Sequence, residues 1–220
     1  MNNTSNSLEQ VYSPRHRAKD AAGGGFSSFH TERGELFASW VGRGNKVLDI
    51  GCRDGRLARY FLEAGNQVTG LDIDSGALKQ CPPEMKTEHH DLNGDWHLQH
   101  QNEFDVVVIS EVMEHLYYPD QVIQKILSVL KPGGWLIGSV PNAFNLKNRF
   151  RLFFGQIQNT PLGEPTHINQ FSYQLLHSLL RRHFSDCTIG AIGRPTWRLF
   201  SSIFPGLGGF LLTFRAQKKQ

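Results

Sequence analysis

Lys46-Val-Leu-Asp-Ile-Gly-Cys-Arg-Asp-Gly55 is the stretch whose reading decides the fold. Val47, Leu48 and Ile50 supply a short apolar run, and Asp49 interrupts it near its carboxyl end. A buried strand running into a glycine-bearing turn is the expected local structure. Gly51 and Gly55 lack a Cβ, so the turn can take unusual dihedrals and a ligand can lie on the backbone. A helix expected over Arg56–Ala64 would turn its unpaired N–H groups toward that ligand. A second strand, Gln67–Asp72, ends in an acid about twenty residues after the first glycine, a spacing that suits a carboxylate gripping a ribose diol. The segment therefore points to a nucleoside-like cofactor. The dinucleotide pattern G-x-G-x-x-G is absent, as is G-x-x-x-x-G-K-[ST], which disfavours a nicotinamide-dependent oxidoreductase or a P-loop enzyme.

Outward from this segment, strands and helices alternate. Strands are expected at Lys46–Ile50, Gln67–Asp72, Lys86–His90, Phe104–Ser110 and Trp135–Val140, with two later ones near Cys187–Ile192 and Phe210–Arg215. Helices are expected at Thr31–Val41, Ser75–Gln80, Pro119–Leu130 and Ser172–His183, with Lys131–Gly134 as the turn after the third of these. Such alternation predicts an α/β fold, a doubly wound and mainly parallel sheet with helices on both faces. Residues 1–25 are polar, end in three glycines and read as a flexible arm; 26–220 form one domain, with an insertion at 141–171 expected to act as an acceptor lid.

Composition sets outer bounds. Hydrophobic content of 39% and charged content of 20% describe an ordinary globular chain, and a formal charge of +3 is too small to argue for nucleic acid. Three cysteines form no C-x-x-C pair and no even disulfide set, which suits a reducing compartment. No signal peptide and no run near the ~20 apolar residues of a membrane span is visible, so a cytoplasmic location is the expectation. Oligomeric state is left open.

After the fourth expected strand comes Glu111-Val-Met-Glu114-His115. On a helical turn, residues three and four apart share a face, so Glu111, Glu114 and His115 would converge at the carboxyl end of the sheet. Two carboxylates and an imidazole suit Mg²⁺ or Mn²⁺, with His167 of Pro165-Thr-His-Ile-Asn-Gln-Phe171 as a fourth ligand. The same residues also admit a metal-free role, with His115 and Glu114 as catalytic groups, or a purely structural one. Phe144–Phe154 interleaves aromatics with cations, a composition that suits a membrane surface or a lipid-linked acceptor.

The glycine segment, together with Leu130-Lys-Pro-Gly-Gly-Trp-Leu-Ile137, resembles the class I S-adenosylmethionine-dependent methyltransferases over roughly residues 30–217. Their usual loop is D-x-G-C-G-x-G, from which Arg53 departs. The resemblance implies a seven-stranded sheet whose last strand is antiparallel and inserted between the fifth and sixth. It also implies roles: Asp49 for the cofactor ammonium, Gly51 facing the methionine moiety, Asp72 for the ribose hydroxyls, Ile73 on an adenine face and Asp91 on the adenine amine. Cys52, Gly55, Leu92 and Ser110 would line the same site, and Arg33 is a further candidate for the cofactor carboxylate. The E-x-x-E-H pattern with a later histidine is similar to the ubiquinone-biosynthesis O-methyltransferases and to the small-RNA 3′-terminal 2′-O-methyltransferases. A small or lipid-linked hydroxyl acceptor is the leading expectation. The modest net charge disfavours an RNA acceptor, and a catalytically silent binding fold is supported only by Arg53.

Overall fold

The computed structural model describes residues 9–11, 13, 14, 18, 29–158 and 160–220. Seven strands, β1 (Lys46–Ile50), β2 (Gln67–Asp72), β3 (Lys86–His89), β4 (Phe104–Ser110), β5 (Leu130–Pro141), β6 (Asp186–Ile192) and β7 (Leu211–Gln217), form one sheet in the order β3-β2-β1-β4-β5-β7-β6. Pairing is parallel from β3 through β5, whereas β7 runs antiparallel to both β5 and β6. The helices are α1 (His30–Val41), α2 (Ala58–Glu63), α3 (Ser75–Leu78), α4 (Pro119–Val129), α5 (Leu146–Phe153), α6 (Tyr173–His183), α7 (Arg198–Ile203) and α8 (Pro205–Gly208).

Strand β4 shows why the sheet is central. Alternate side chains of a strand point to opposite faces. Val107 and Ile109 join a core with Ile123 and Ile126 of α4 and Leu176 of α6, whereas Val106 and Val108 join Phe37 of α1 and Phe61 of α2. An almost unbroken apolar run is what a strand covered on both faces needs. Helix α4 opens at Pro119 and buries Val122, Ile123, Ile126 and Val129. Ser172 caps α6, its hydroxyl accepting from the Leu175 N–H at 3.1 Å.

Two boundaries differ from the sequence expectation for identifiable reasons. The turn expected at Lys131–Gly134 lies inside β5, which begins at Leu130: the register jumps from Phe104↔Leu130 to Val106↔Trp135, so these residues bulge out of the ladder. The helix expected from Arg56 begins at Ala58, because the preceding residues are used by the glycine turn. Most of the arm expected at 1–25 lies outside the described residues. Within it, the Glu9 carboxylate accepts from the Ser75 hydroxyl at 2.7 Å and the Ser75 N–H at 3.1 Å, at the start of α3.

The stretch expected as an acceptor lid, 141–171, holds α5 and a short 3₁₀ turn, Pro161–Gly163. Fully buried Asn142 anchors it, donating to the carbonyls of Gly206 (3.1 Å) and Gly209 (3.0 Å). Asn148 donates back to the carbonyls of Asn142 and Ala143, both at 3.2 Å. The asparagines thus hold α5 and α8 to the carboxyl end of β5.

Candidate active site

The glycine turn leaves β1 with its amides committed to the sheet. Gly51 N–H and Cys52 N–H both donate to the Leu71 carbonyl, at 2.7 and 3.1 Å. Gly51 (φ +72°) and Gly55 (φ +71°) take the left-handed conformation that glycine favours, and Arg53 takes it too (φ +51°). A Cβ on Gly51 would sit 2.3 Å from Val112 Cγ2, and one on Gly55 would sit 2.6 Å from Pro82 Cδ. Both glycines are therefore required by the packing of the turn on its own protein, not only by room for a ligand.

Asp72 ends β2 with its carboxylate held in place: Oδ2 accepts from the Arg53 N–H and Oδ1 from the Asp74 N–H, both at 2.8 Å. Asp49 lies in β1 with 2% of its surface exposed, and its Oδ2 has no hydrogen-bond partner. Burial first, and the neighbouring Asp72 charge second, push its carboxyl up to about 7, against the opposing pull of Arg33. A buried, orphaned carboxylate oxygen is a site for a cation or a donor.

Arg33, on the buried face of α1, brings a guanidinium to this edge, with Nη1 3.9 Å from Glu111 Oε1. Glu111 also accepts from the Ser139 hydroxyl at 3.0 Å; since that proton is spent, Ser110 donates to Ser139 Oγ at 2.9 Å. Serine–serine–glutamate–arginine thus form one chain across β4, β5 and α1.

Glu111, Glu114 and His115 do not share one helical face as expected. Glu111 is left-handed (φ +57°), and only Met113–His115 form a 3₁₀ turn. What the structure brings together is Glu114, His115 and His167, each offering a ligand atom within 4.8 Å of the others. Glu111 lies outside this group. Glu114 is 2% exposed and its Oε2 has no partner. Burial, then the Glu111 charge, raises its carboxyl well above the usual range; burial also raises that of Glu111. His115 Nδ1 lies 2.8 Å from the Thr166 carbonyl, which can only accept, so Nδ1 carries a proton and donates it there. Its Nε2 is 3.9 Å from Glu114 Oε1, and the His115 and His167 rings meet edge to face at 4.9 Å. Asn169 secures the returning segment, its amide N–H donating to the Glu114 carbonyl at 2.9 Å and its side chain to the Leu116 carbonyl.

The candidate groups lie at the carboxyl ends of the parallel strands, and comparison with known proteins gives the family. A model described as a methyltransferase domain matches residues 27–183. The chain belongs to that methyltransferase family. The match spans β1 through α6 and so includes the glycine turn, Asp72, Glu114, His115 and His167. Curated relatives include the ubiquinone biosynthesis O-methyltransferases of Hydrogenovibrio crunogenus, 33% identical over 130 residues (55% of this chain, 54% of that protein), and of Thiobacillus denitrificans, 36% identical over 105 residues (45% of each). The chain spans about half the length of the curated relatives it matches. Two solved S-adenosylmethionine-dependent methyltransferases share the fold: one from Thermotoga maritima (TM-score 0.67, 15% identity, 96% of this chain and 98% of that one) and one from Archaeoglobus fulgidus (TM-score 0.62, 20% identity, 84% and 94%).

Within the family's frame, the other expected site residues fall as follows. Ile73 is half-buried, its carbonyl 2.8 Å from His89 Nε2. Asp91 uses Oδ1 to cap its own turn, accepting from the backbone and side-chain nitrogens of Asn93 at 2.9 and 2.8 Å. Leu92 packs on the core, and its carbonyl accepts from the Trp96 indole. Ser139 and Asn169 were missed by sequence reading. Ser139 sits in an ordinary strand pattern, while Asn169 carried a signal only in following His167 by two residues.

The turn geometry makes opposite demands at neighbouring positions. Arg53→Gly removes a left-handed cost of about 1–2 kcal/mol against a glycine entropy cost of about 0.5–1 kcal/mol, so urea unfolding should show equal or slightly higher stability. Gly51→Val adds both the strain and the Val112 clash, and should lose about 2 kcal/mol or more. Stabilisation by Gly51→Val would contradict this turn.

Proposed function

We propose that this protein is an S-adenosylmethionine-dependent methyltransferase acting on a hydroxyl of a small or lipid-linked acceptor, at the carboxyl edge of a doubly wound sheet. The observation that carries it is the pair of carboxylates beside the glycine turn. Asp49 offers an orphaned, buried oxygen to a cationic amino group, and Asp72 offers two oriented oxygens to a ribose diol. Bound S-adenosylmethionine supplies a methyl group activated by its sulfonium. The chain's part is to hold that group at the turn and present the acceptor from the Glu114–His115–His167 side. Gly55, Cys52, Ile73, Asp91, Leu92 and Ser110 complete the proposed cofactor surroundings. That the curated relatives are O-methyltransferases by name favours oxygen as the accepting atom.

We further propose Glu114, His115 and His167 as ligands for Mg²⁺ or Mn²⁺. The donor set fits: an orphaned carboxylate oxygen and two imidazoles converge, and a cation would offset the repulsion between Glu114 and Glu111. Such an ion, when bound, lowers the pKa of an acceptor hydroxyl and orients it. Without an ion, His115 Nε2 takes the hydroxyl proton directly. The acceptor side also suits a lipid surface. Phe150, Phe153 (82% exposed) and Phe154 follow Lys147 and Arg149, Leu199 (75%) and Phe204 follow Arg198, and neither 121–163 nor 187–220 contains an acidic residue. Among the described residues no helix is long and apolar enough to cross a membrane, so the proposed contact is peripheral.

Calorimetry tests the cofactor assignment. S-adenosylmethionine should bind and NAD should not, and Asp72→Asn should weaken binding by about 1.5–3 kcal/mol. The cofactor ammonium requires ionised Asp49, so affinity should fall about tenfold per pH unit below about 7, with a proton released on binding. In the cofactor-free protein the sign is the reverse: the folded state keeps a proton that the unfolded chain loses near 3.8, so Asp49 contributes less stability as pH rises from there to about 7. Flat pH dependence of binding would remove Asp49 from the site.

Chelator separates the two catalytic readings. Turnover should stop with excess chelator and return with Mg²⁺ or Mn²⁺, while cofactor affinity holds. Full turnover in chelator, together with a loss of about two to four orders of magnitude in His115→Ala, would assign His115 as a metal-free base instead.

Vesicle co-sedimentation tests the surface. Binding to anionic phosphatidylglycerol vesicles should exceed that to phosphatidylcholine and weaken in Phe150→Ser/Phe153→Ser. Equal recovery with both lipids, or no effect of the substitutions, would dismiss the lipid contact.

A further inference from the structure

The cofactor turn carries a second feature that its binding role does not use. Cys52 is buried in the turn, and Cys81 is half-buried in the loop just beyond α3. Both thiols reach one carbonyl, that of Arg53, with Cys81 Sγ at 3.4 Å and Cys52 Sγ at 3.9 Å. The two thiols also influence one another's acidity. Two glycines make room for this sulfur group. A Cβ on Gly70 would lie 2.6 Å from Cys52 Sγ, and one on Gly55 would lie 3.3 Å from Cys81 Sγ and 3.2 Å from Met85 Sδ. In sequence the cysteines are far apart and carry no motif; the fold alone pairs them.

We propose that Cys52 and Cys81 are an oxidation site, a dithiol that peroxide converts to a disulfide bridging the cofactor turn to the loop after α3. Their environments differ in a way that orders the steps. Interaction between the two thiols lowers that of Cys81 and raises that of Cys52, and burial raises Cys52 further. The more accessible, more acidic Cys81 reacts first. Its thiolate attacks one oxygen of hydrogen peroxide, the O–O bond breaks, and a sulfenic acid and water result. The Cys52 sulfur then attacks the sulfenic sulfur, the S–S bond forms, and the hydroxyl leaves as a second water. In balance, two thiols and one peroxide give one disulfide and two waters, and a dithiol reductant reverses the change.

The consequence follows from Arg53. Its carbonyl accepts from both thiols, and its N–H holds Asp72 Oδ2 at 2.8 Å. Oxidation removes both S–H donors to the Arg53 carbonyl and joins the sulfurs covalently, so the residue that orients Asp72 must shift. This consequence, unlike the disulfide itself, rests on the cofactor reading given above.

The experiment treats the full chain with hydrogen peroxide, blocks remaining thiols and maps peptides by mass spectrometry. The expected result is a peptide linked through Cys52 and Cys81, with Cys187 still free, fully reversed by dithiothreitol. Cys81→Ser should abolish the link, and Cys187→Ser should leave it intact. Terminal oxidation of Cys81 without a link, or a link through Cys187 instead, would overturn the proposal. In parallel, S-adenosylmethionine affinity should drop roughly tenfold or more on oxidation of the Cys187→Ser protein, the size of losing an oriented charged hydrogen bond, and recover on reduction. A link with unchanged affinity overturns the coupling to Asp72. A reduced protein that binds no S-adenosylmethionine overturns the cofactor reading alone, since the peptide map decides the disulfide independently.

Discussion

Buried negative charge without enough positive charge to match it is the condition around which this molecule is organised. Asp49, Asp72, Glu111 and Glu114 gather at the carboxyl edge of the central strands, and Arg33 is the cation that acts on Asp49, Glu111 and Glu114. Carboxylates this close in a low-dielectric setting cannot all remain ionised unaided, so Asp49 and Glu114 are driven toward their protonated forms. An incoming cationic group at either place is attracted by an electrostatic deficit that the fold itself has built.

Several less obvious features serve that arrangement. Helix α1 precedes the sheet in the chain and places Arg33 on its buried face, where Gly34 lies against the Tyr60 ring of the neighbouring helical segment. The Ser110–Ser139–Glu111 chain gives Glu111 a hydroxyl donor in addition to Arg33, while its charge still bears on Glu114. The returning segment around His167 is fastened by the Asn169 and Thr166 contacts, which bring His115 and His167 beside Glu114, whose Oε2 has no hydrogen-bond partner.

The sequence disclosed much of this, and its failures have physical causes. Strands β1, β2 and β4 were legible to the residue because an apolar run bounded by acids, glycines or serine has few other readings. The glycine turn was legible as a turn, but the reason for its glycines was not: their missing Cβ atoms face Val112 and Pro82, contacts only the folded chain creates. Arg33 was hard to weigh because an amphipathic pattern says nothing of a cation turned inward. Glu111 was misplaced on a helical face because spacing arguments assume regular dihedrals, and this residue is left-handed. His167 could be placed near His115 because the two strand ends on which they follow share one sheet edge, whereas the Cys52–Cys81 proximity had no counterpart in spacing at all.

The position of β7 also bears on how the molecule can be assembled. In synthesis β6 emerges before β7, yet its ladder in the finished sheet is made with β7, which lies between it and β5. As the chain leaves the ribosome, β1 to β5 can already pair, while β6 must wait for a neighbour not yet made. Until β7 is made, β5 lacks its outer neighbour and β6 lacks the strand it pairs with, so the finished sheet requires the chain as far as Gln217.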